Sequence, residues 1–494
     1  MASVAIAAGA FFLAAAILMQ RRTFFQQLAW LTGGLLLFRN ASGRAGLLAE
    51  PVTVNGLLQS NGKPMAGVVV SDGYTVLRTD SEGKFSVSLH PQATTVFVST
   101  PRGYAFTHQK GIARHYRLLQ DIKPSEPIVF ELQPLQQDDN EHQFIIWADP
   151  QVKNDDDVEK MMRESVPDVK KTIGAMGAGA LIHGITVGDI VWDNLPLFDD
   201  YDKAVSKMGI PFFQCLGNHD MDYRKGGDDT SDDSFTQAYG PTYYSFNRGD
   251  IHYVVMDNVR YLGKDRDYDG FFQQNQLDWL EKDLALVPKD LPVVLCVHIP
   301  VHKGTKNKEA LYKLLEGRTV HLMSGHTHYN VNAIKDNVYE HNHGAVCGAW
   351  WTGDICEDGT PCGYGVYKVK GKDISWHYQA TGKPAGYQMK LYTTPYSDDS
   401  IQVVANIWNH DPAWKTEYLV DGESKGTLTQ FEGYDMDAFK KMMGPDLPKP
   451  RGFAEPQQTK HLFSAVVPAT AKKVTVIATD RFGRQYTETI KPNA

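Results

Sequence analysis

Five short polar motifs, each at the end of an apolar run, constrain this chain more than any other feature. The runs FIIWAD, LIHGITVGDI, FFQCLGN, PVVLCVHIP and HLMSGH carry Asp149-Pro150-Gln151, Gly188-Asp189 onward to Asp193, Gly217-Asn218-His219-Asp220, Val297-His298-Ile299-Pro300 and Gly325-His326-Thr327-His328. Helical candidates lie between the runs, Val158 to Lys171 and Gln273 to Leu286 among them. Short apolar strands alternating with helices predict an α/β domain, and ligands bind just outside the carboxyl ends of such strands. Taken singly, each motif has an ordinary explanation. An Asp after a strand caps the next helix, Gly-Asn makes a turn, and a lone His is a satisfied surface or core residue. In this order, at the strand ends of one domain, they point to a shared site.

The chain has 494 residues, enough for about three units at roughly 150 residues per domain. Residues 1 to 49 read as an export signal or membrane anchor: two apolar runs flank Arg21-Arg22, followed by Phe24. The arginine pair, aromatic and short apolar run resemble a twin-arginine signal, which implies an exported protein of the periplasm or cell envelope, with translation starting at Met1 or Met19. A retained N-terminal membrane attachment is the competing reading. Residues 50 to 135 alternate β-branched runs with Gly, Asn and Asp turns, the pattern of a β-sandwich, and resemble transthyretin-like modules. A polar linker over 132–142 leads into the α/β domain, 142 to 374, and a Tyr/Trp/Thr/Val-rich β domain with one helix, Met436 to Met443, fills 375 to 494.

A hydrophobic fraction of 42% with 22% charged residues describes a folded chain. The net charge of -8 and the absence of a basic stripe exclude nucleic acid as an expected partner. Acidic runs at Asp155 to Asp157 and Asp228 to Asp233 read as solvated loops. The five cysteines form no CxxC; Cys215 and Cys296 read as buried thiols, while Cys356 and Cys362 flank a loop short enough to close as a disulfide.

Two divalent cations about 3.5 to 4 Å apart need a bridging carboxylate with imidazole and oxygen ligands around them, and Asp189 is the bridging candidate. The order Asp, Gly-Asp, Gly-Asn-His, His, Gly-His-x-His resembles the signature of the calcineurin-like metallophosphoesterases. That resemblance implies a four-layer αββα catalytic domain flanked by the two β domains. It also implies two divalent ions, Mn, Fe, Zn or similar, with Asp149 and His328 on one, Asn218, His298 and His326 on the other, and Asp189 on both. A metal-activated hydroxide would attack phosphorus while His219 acts as general acid. Asp220 is expected to orient the His219 ring, with helix or turn capping as its alternative; Asp193, one position later than the family's GDxxD spacing, is left outside the ligand set.

The family's first motif is usually Asp-x-His, whereas this chain has Gln151 in the histidine's place. Its neutral carbonyl oxygen is expected on the first ion, favouring iron or manganese over zinc; a side chain turned away from the metal is the alternative. GAVCGAWWTGDICEDGTPCGYGVY and WHYQATGKPAGYQMKLY resemble exported bacterial members with β domains at both ends. Trp350, Trp351, Asp358 and Tyr364 either shape the substrate pocket or pack at a domain seam. The implied activity is hydrolysis of a small-molecule, glycan or lipid phosphoester. A nucleotidase or phosphoprotein phosphatase is one alternative, and a non-catalytic envelope binding protein with a structural metal site is another.

Overall fold

The motif-bearing runs become neighbouring strands of two facing sheets. In the computed structural model, which describes residues 52–123, 126–443 and 451–492, the first sheet has seven strands. In spatial order they are Asp373–Ala380, Gly363–Lys370, Glu141–Trp147, Ile182–Val187, Phe212–Cys215, Ile112–Ala113 and His108–Gln109. The second sheet has six: Tyr244–Arg248, Ile251–Val255, Val293–Cys296, Val320–Ser324, Val338–Asn342 and Val331–Lys335. Strands preceding motifs run parallel, with Phe144 level with His183, Gly184 with Phe212, and Val293 with Val320. Their carboxyl ends therefore share one rim of each sheet.

Alternation along a strand sends one side chain between the sheets and the next toward a helix. Ile146 and Phe213 enter the core shared with Tyr253, Val255 and Leu295, whereas Ile145, Trp147 and Phe212 pack with Val169, Tyr201, Val205 and Met208. Between the sheets, Phe213 stacks on Phe246 at 3.9 Å and 10°. Helices Val166–Ala175 and Phe198–Met208 thus cover the first sheet, and Gln274–Leu284 and Lys308–Leu314 cover the second. The architecture is the four-layer αββα arrangement. Burial on both faces is why these strands read as unbroken apolar runs.

The first helix starts earlier than its apolar pattern, at Asp155, because Asn154 caps it by accepting from Asp157 N at 3.1 Å. Asp155 to Asp157, expected as a solvated loop, form its first turn, where the helix dipole favours carboxylates. Asp157 is buried and paired with Arg451 at 2.6 Å.

In the N-terminal region two four-stranded sheets enclose Val54, Leu58, Val70, Val87, Val96 and Phe130. The region is not self-contained. Its hairpin His108–Gln109 with Ile112–Ala113 extends the first catalytic sheet, Ile112 pairing in parallel with Phe212. Trp279 of the catalytic domain also donates its Nε1 to Ser71 Oγ at 3.2 Å.

At the other end, strand Asp373–Ala380 crosses the boundary expected at 374 and is the edge of the first sheet. Two four-stranded sheets follow, built from segments between Lys390 and Ile490, with the helix Met436–Met443 among them. Met389, Ala405, Ile407, Phe463 and Val476 form their core. Cys356 and Cys362 are free thiols rather than a disulfide. No helix among the described residues is long and apolar enough to cross a membrane. The expected export signal, residues 1 to 49, lies outside the described residues.

Candidate metal centre

The turns after the strands hold their side chains inward at a backbone cost. Asp149, Asp189, His326 and His328 all have left-handed φ, at 51°, 48°, 70° and 52°. Such conformations cost of order 1–3 kcal/mol each for residues with a Cβ, and they cluster where function holds them in place. Two glycines of the motifs are fixed by close approach. A Cβ on Gly217 would stand 1.9 Å from Asp189 N, and one on Gly325 would stand 2.4 Å from Asp149 Oδ2. The Gly in Gly-Asn and in Gly-His-x-His is therefore the space the neighbouring carboxylate occupies.

The donor atoms converge. Asp189 Oδ1 lies 3.2 Å from His298 Nε2 and accepts from His219 N at 2.9 Å. His298 Nε2 is also 3.1 Å from Asn218 Oδ1 and 3.2 Å from His326 Nδ1. His326 N donates to both Asp149 oxygens, and His328 Nε2 stands 3.8 Å from Asp149 Oδ1. One ligand atom each of Asp189, His298 and His326 falls within 4.8 Å of the others, a group able to hold a metal ion.

The chemistry of this donor set fits cations. His298 Nδ1 donates to Val187 O at 2.9 Å and His328 Nδ1 to Gly348 O at 2.6 Å, which turns each Nε2 toward the carboxylates. Such carbonyl contacts behind an imidazole fix the tautomer a ligand needs. Burial holds His326 down at about 3 and His328 at about 4, so both are neutral with lone pairs available. Burial pushes the Asp149 carboxyl up to about 8, opposed by His298 and reinforced by the Asp189 charge. Burial also works against ionised Asp189, but His298 and His219 hold its carboxyl well below the usual range. Two buried carboxylates that cannot comfortably ionise together are what a dication relieves.

Two expectations need correction. Asp220 does not touch the His219 ring: its carboxylate accepts from Ile190 N, Val191 N and Gly217 N at 3.1, 3.0 and 2.9 Å. It ties the Gly-Asp and Gly-Asn turns together, the capping use of an Asp after a turn. The ring partner is Asp193, whose Oδ1 is 2.8 Å from His219 Nδ1, while its Oδ2 meets Arg266 at 3.0 Å. Asp193 itself has a φ of 55°. The acid one position beyond the family spacing was the available signal. Gln151, in turn, donates Nε2 to Asp189 Oδ2 at 3.0 Å, with its Oε1 3.9 Å from Cys347 Sγ. The charged Asp189 oxygen draws the amide N–H, so the nitrogen rather than the expected carbonyl oxygen faces that carboxylate.

Of the other neighbours, Tyr223, Tyr268 and Trp192 were not singled out by pattern, whereas Trp350, Trp351 and Tyr364 were. Tyr223 donates its hydroxyl to Asn218 O, and the Tyr268 ring lies edge-on to His326 at 5.9 Å. Trp350 stacks on His328 at 4.5 Å and Trp192 lies 5.8 Å from His219. Trp351 anchors the first motif by donating Nε1 to Pro150 O at 2.9 Å, whereas Tyr364 is a packing residue bonded to Asp168 and Thr172.

A four-layer αββα core with carboxylates and imidazoles gathered at its strand ends is the architecture of a metal-dependent phosphoesterase. The family model described as calcineurin-like phosphoesterase matches residues 142–330, and those for its N-terminal and C-terminal regions match 52–135 and 340–486. The chain belongs to the calcineurin-like phosphoesterases, in the form with N- and C-terminal extension domains, and is a hydrolase of that family. No curated protein matches it. Among solved structures, a dimetal phosphatase from Danio rerio is 14% identical, over 53% of this chain and 95% of that one, with a TM-score of 0.34. A purple acid phosphatase from yellow lupin (Lupinus luteus) seeds is 11% identical, over 69% of this chain and 67% of that one, with a TM-score of 0.31. Likenesses this loose bear on neither chemistry nor substrate.

Proposed function

We propose that this hydrolase cleaves phosphoric esters at two divalent cations held by Asp149, Asp189, Asn218, His298, His326 and His328, with His219 as the general acid. When bound, the cations supply Lewis acidity that neutralises charge on the phosphoryl oxygens and make a bound water nucleophilic near neutral pH. Asp189 is the shared ligand, and Gln151 orients it by hydrogen bonding. The observation that carries the acid assignment is the Asp193 contact at His219 Nδ1, 2.8 Å, which leaves Nε2 without a partner among the described residues. Asp193 fixes the ring and favours the imidazolium, so a proton is held at Nε2 for the leaving oxygen. Burial disfavours the charged ring, yet the Asp189 and Asp193 carboxylates raise its pKa above the ordinary histidine value.

The test is metal analysis of purified protein together with turnover of a panel of phosphomonoesters and phosphodiesters. Two equivalents of a divalent metal and turnover of at least one ester class are expected. Full metal occupancy with no turnover of any ester would leave the non-catalytic binding protein as the correct reading.

A further inference from the structure

Beside the His219–Asp193 pair a cleft of about 470 Å³ opens, lined by Asp193, Tyr223, Arg224, Lys225 and Arg266 among others. A phosphoryl group alone does not need that room; drug-sized ligands occupy sites of about 300–1,000 Å³. Asp193, the partner of the acid, and Tyr223, whose hydroxyl donates to Asn218 O, both line it, so the cleft borders the metal centre on the side of the acid's partner.

Its charge is layered. Arg224, Lys225 and Arg266 come from two segments, the loop after Asp220 and the turn between strands Val259–Tyr261 and Tyr268–Gly270. Their side chains are 73%, 62% and 62% exposed. Two of the facing carboxylates lie beneath them: Asp222 is 1% and Asp193 12% exposed. Asp222 accepts from Ser234 N and Oγ at 2.7 and 2.9 Å and also pairs with Lys225 Nζ, and Asp193 holds the His219 ring at 2.8 Å and Arg266 at 3.0 Å. Asp265, 3.6 Å from Arg224, is itself on the surface. Arg224 has a φ of 68°, and its N donates to the Tyr261 hydroxyl at 3.2 Å, which holds the turn. An occupant of the cleft therefore meets cations first, in a chain whose net charge is -8.

We infer that this cleft is a second anion subsite and that the preferred substrate is a phosphoester whose leaving group carries a further phosphate. Guanidinium forks and an ammonium are the donors that match phosphate oxygens. The inference rests on the hydrolase reading above and adds the substrate class.

The experiment compares kcat/KM for propane-1,3-diol bisphosphate and for propyl phosphate, in the metal-loaded wild type and in Arg224→Ala/Lys225→Ala. The wild type should favour the bisphosphate by roughly 10- to 100-fold, the range expected for one or two charge-assisted hydrogen bonds. The double variant should lose most of that preference while propyl phosphate turnover stays within about threefold, and 0.5 M salt should erode the preference in the wild type. Arg266 is left intact because it touches Asp193. Equal turnover of both esters by the wild type, or a preference that survives the double substitution, overturns the subsite and leaves the hydrolase reading standing. If the wild type cleaves neither these esters nor any ester of the wider panel, the hydrolase reading fails and the subsite falls with it.

Discussion

The strand-end rim holds a half-buried histidine–aspartate pair and the seam with the C-terminal domain a buried one, both at 2.8 Å, and the two pairs differ in what their second ring nitrogen meets. At the seam, His461 Nε2 meets Asp358 Oδ2 while its Nδ1 meets Asn406 Oδ1 at 2.6 Å. Asp358 also accepts from Asn330 N, Thr360 N and Thr360 Oγ1. Every arm of that network ends on protein. A third pair, His252 with Asp283, follows the same plan, its Nδ1 bound to Asn247 Oδ1 at 2.9 Å. Only at the rim, among the described residues, is the second ring nitrogen of such a pair left over, and there the neighbouring backbone is strained. A fully satisfied polar network rigidifies a fold, whereas an open one beside strained turns is built to engage something the chain does not contain. The dyad alone does not single out His219; the proposed acid role rests on the dyad together with the free nitrogen.

The strongest way to break this contrast is at Asp189, the carboxylate that meets His298, His219 N and Gln151. Asp189→Asn keeps the shape and removes the charge that offsets two cations. Metal content and activity should fall together, activity by roughly 10³-fold or more, beyond the 10–100-fold typical of residues that merely support ligands. Elemental analysis showing two ions retained in that variant would refute the shared-ligand role. Next in size is His219→Ala, which should keep both ions and lose roughly 10²- to 10⁴-fold on an alkyl phosphate. Its loss on 4-nitrophenyl phosphate should be much smaller, since nitrophenolate leaves without a proton. Equal losses on the two esters would make His219 a positioning residue.

Asp193→Asn should have a smaller effect with a distinctive signature. The raised pKa of His219 owes part of its shift to this carboxylate, so removing the charge lowers it. A general acid must be protonated to act, and the alkaline limb of the kcat/KM profile should therefore move to lower pH. Asp283→Asn, at a closed pair, should leave that limb unmoved. An unshifted limb in Asp193→Asn would show that the contact orients the ring without tuning it.

Much of this rim is legible in sequence because each ligand-type residue sits at a strand terminus, and parallel strands converge there whatever joins them. The family motifs give the residue types, and the structure gathers Asp189, His298 and His326, with Asn218 beside His298 and His328 beside Asp149. What the spacing could not supply was direction. Asp220 is adjacent to His219 in sequence, yet the turn aims it backward at three backbone amides, while Asp193 arrives from the preceding strand's loop. Gln151 has an oxygen and a nitrogen to offer, and only the charge it faces decides between them. The domain edges were blurred for a related reason. Ile112–Ala113 looks like any β-domain strand until its pairing with Phe212 assigns it to the core, and Asp373–Ala380 joins by a hairpin with Gly363–Lys370, which itself pairs with Glu141–Trp147.

The smallest effect on catalysis is expected at the seam. His461→Ala removes the donor to Asp358 Oδ2 and a partner of Asn406, but Asp358 keeps Asn330 N and Thr360, and Asn406 Nδ2 still reaches Asp435 at 2.8 Å. Leaving one buried acceptor short costs about 1–3 kcal/mol. A change of 1 kcal/mol shifts Tm by about 2–4 °C in units of 150–250 residues, so thermal unfolding should move by several degrees. Metal content should be unchanged and kcat/KM should stay within about twofold, with the same pH limbs as the wild type. There is a route by which this could fail. Asn330 N bonds Asp358, and Glu357 N bonds His328 O, so the seam network touches the loop that delivers a proposed ligand. If His461→Ala instead lost one metal equivalent, or more than tenfold in kcat/KM at full occupancy, the closed pair would be part of the machinery that positions His328. The line between the two regions would then fall beyond Asp358, inside the C-terminal domain.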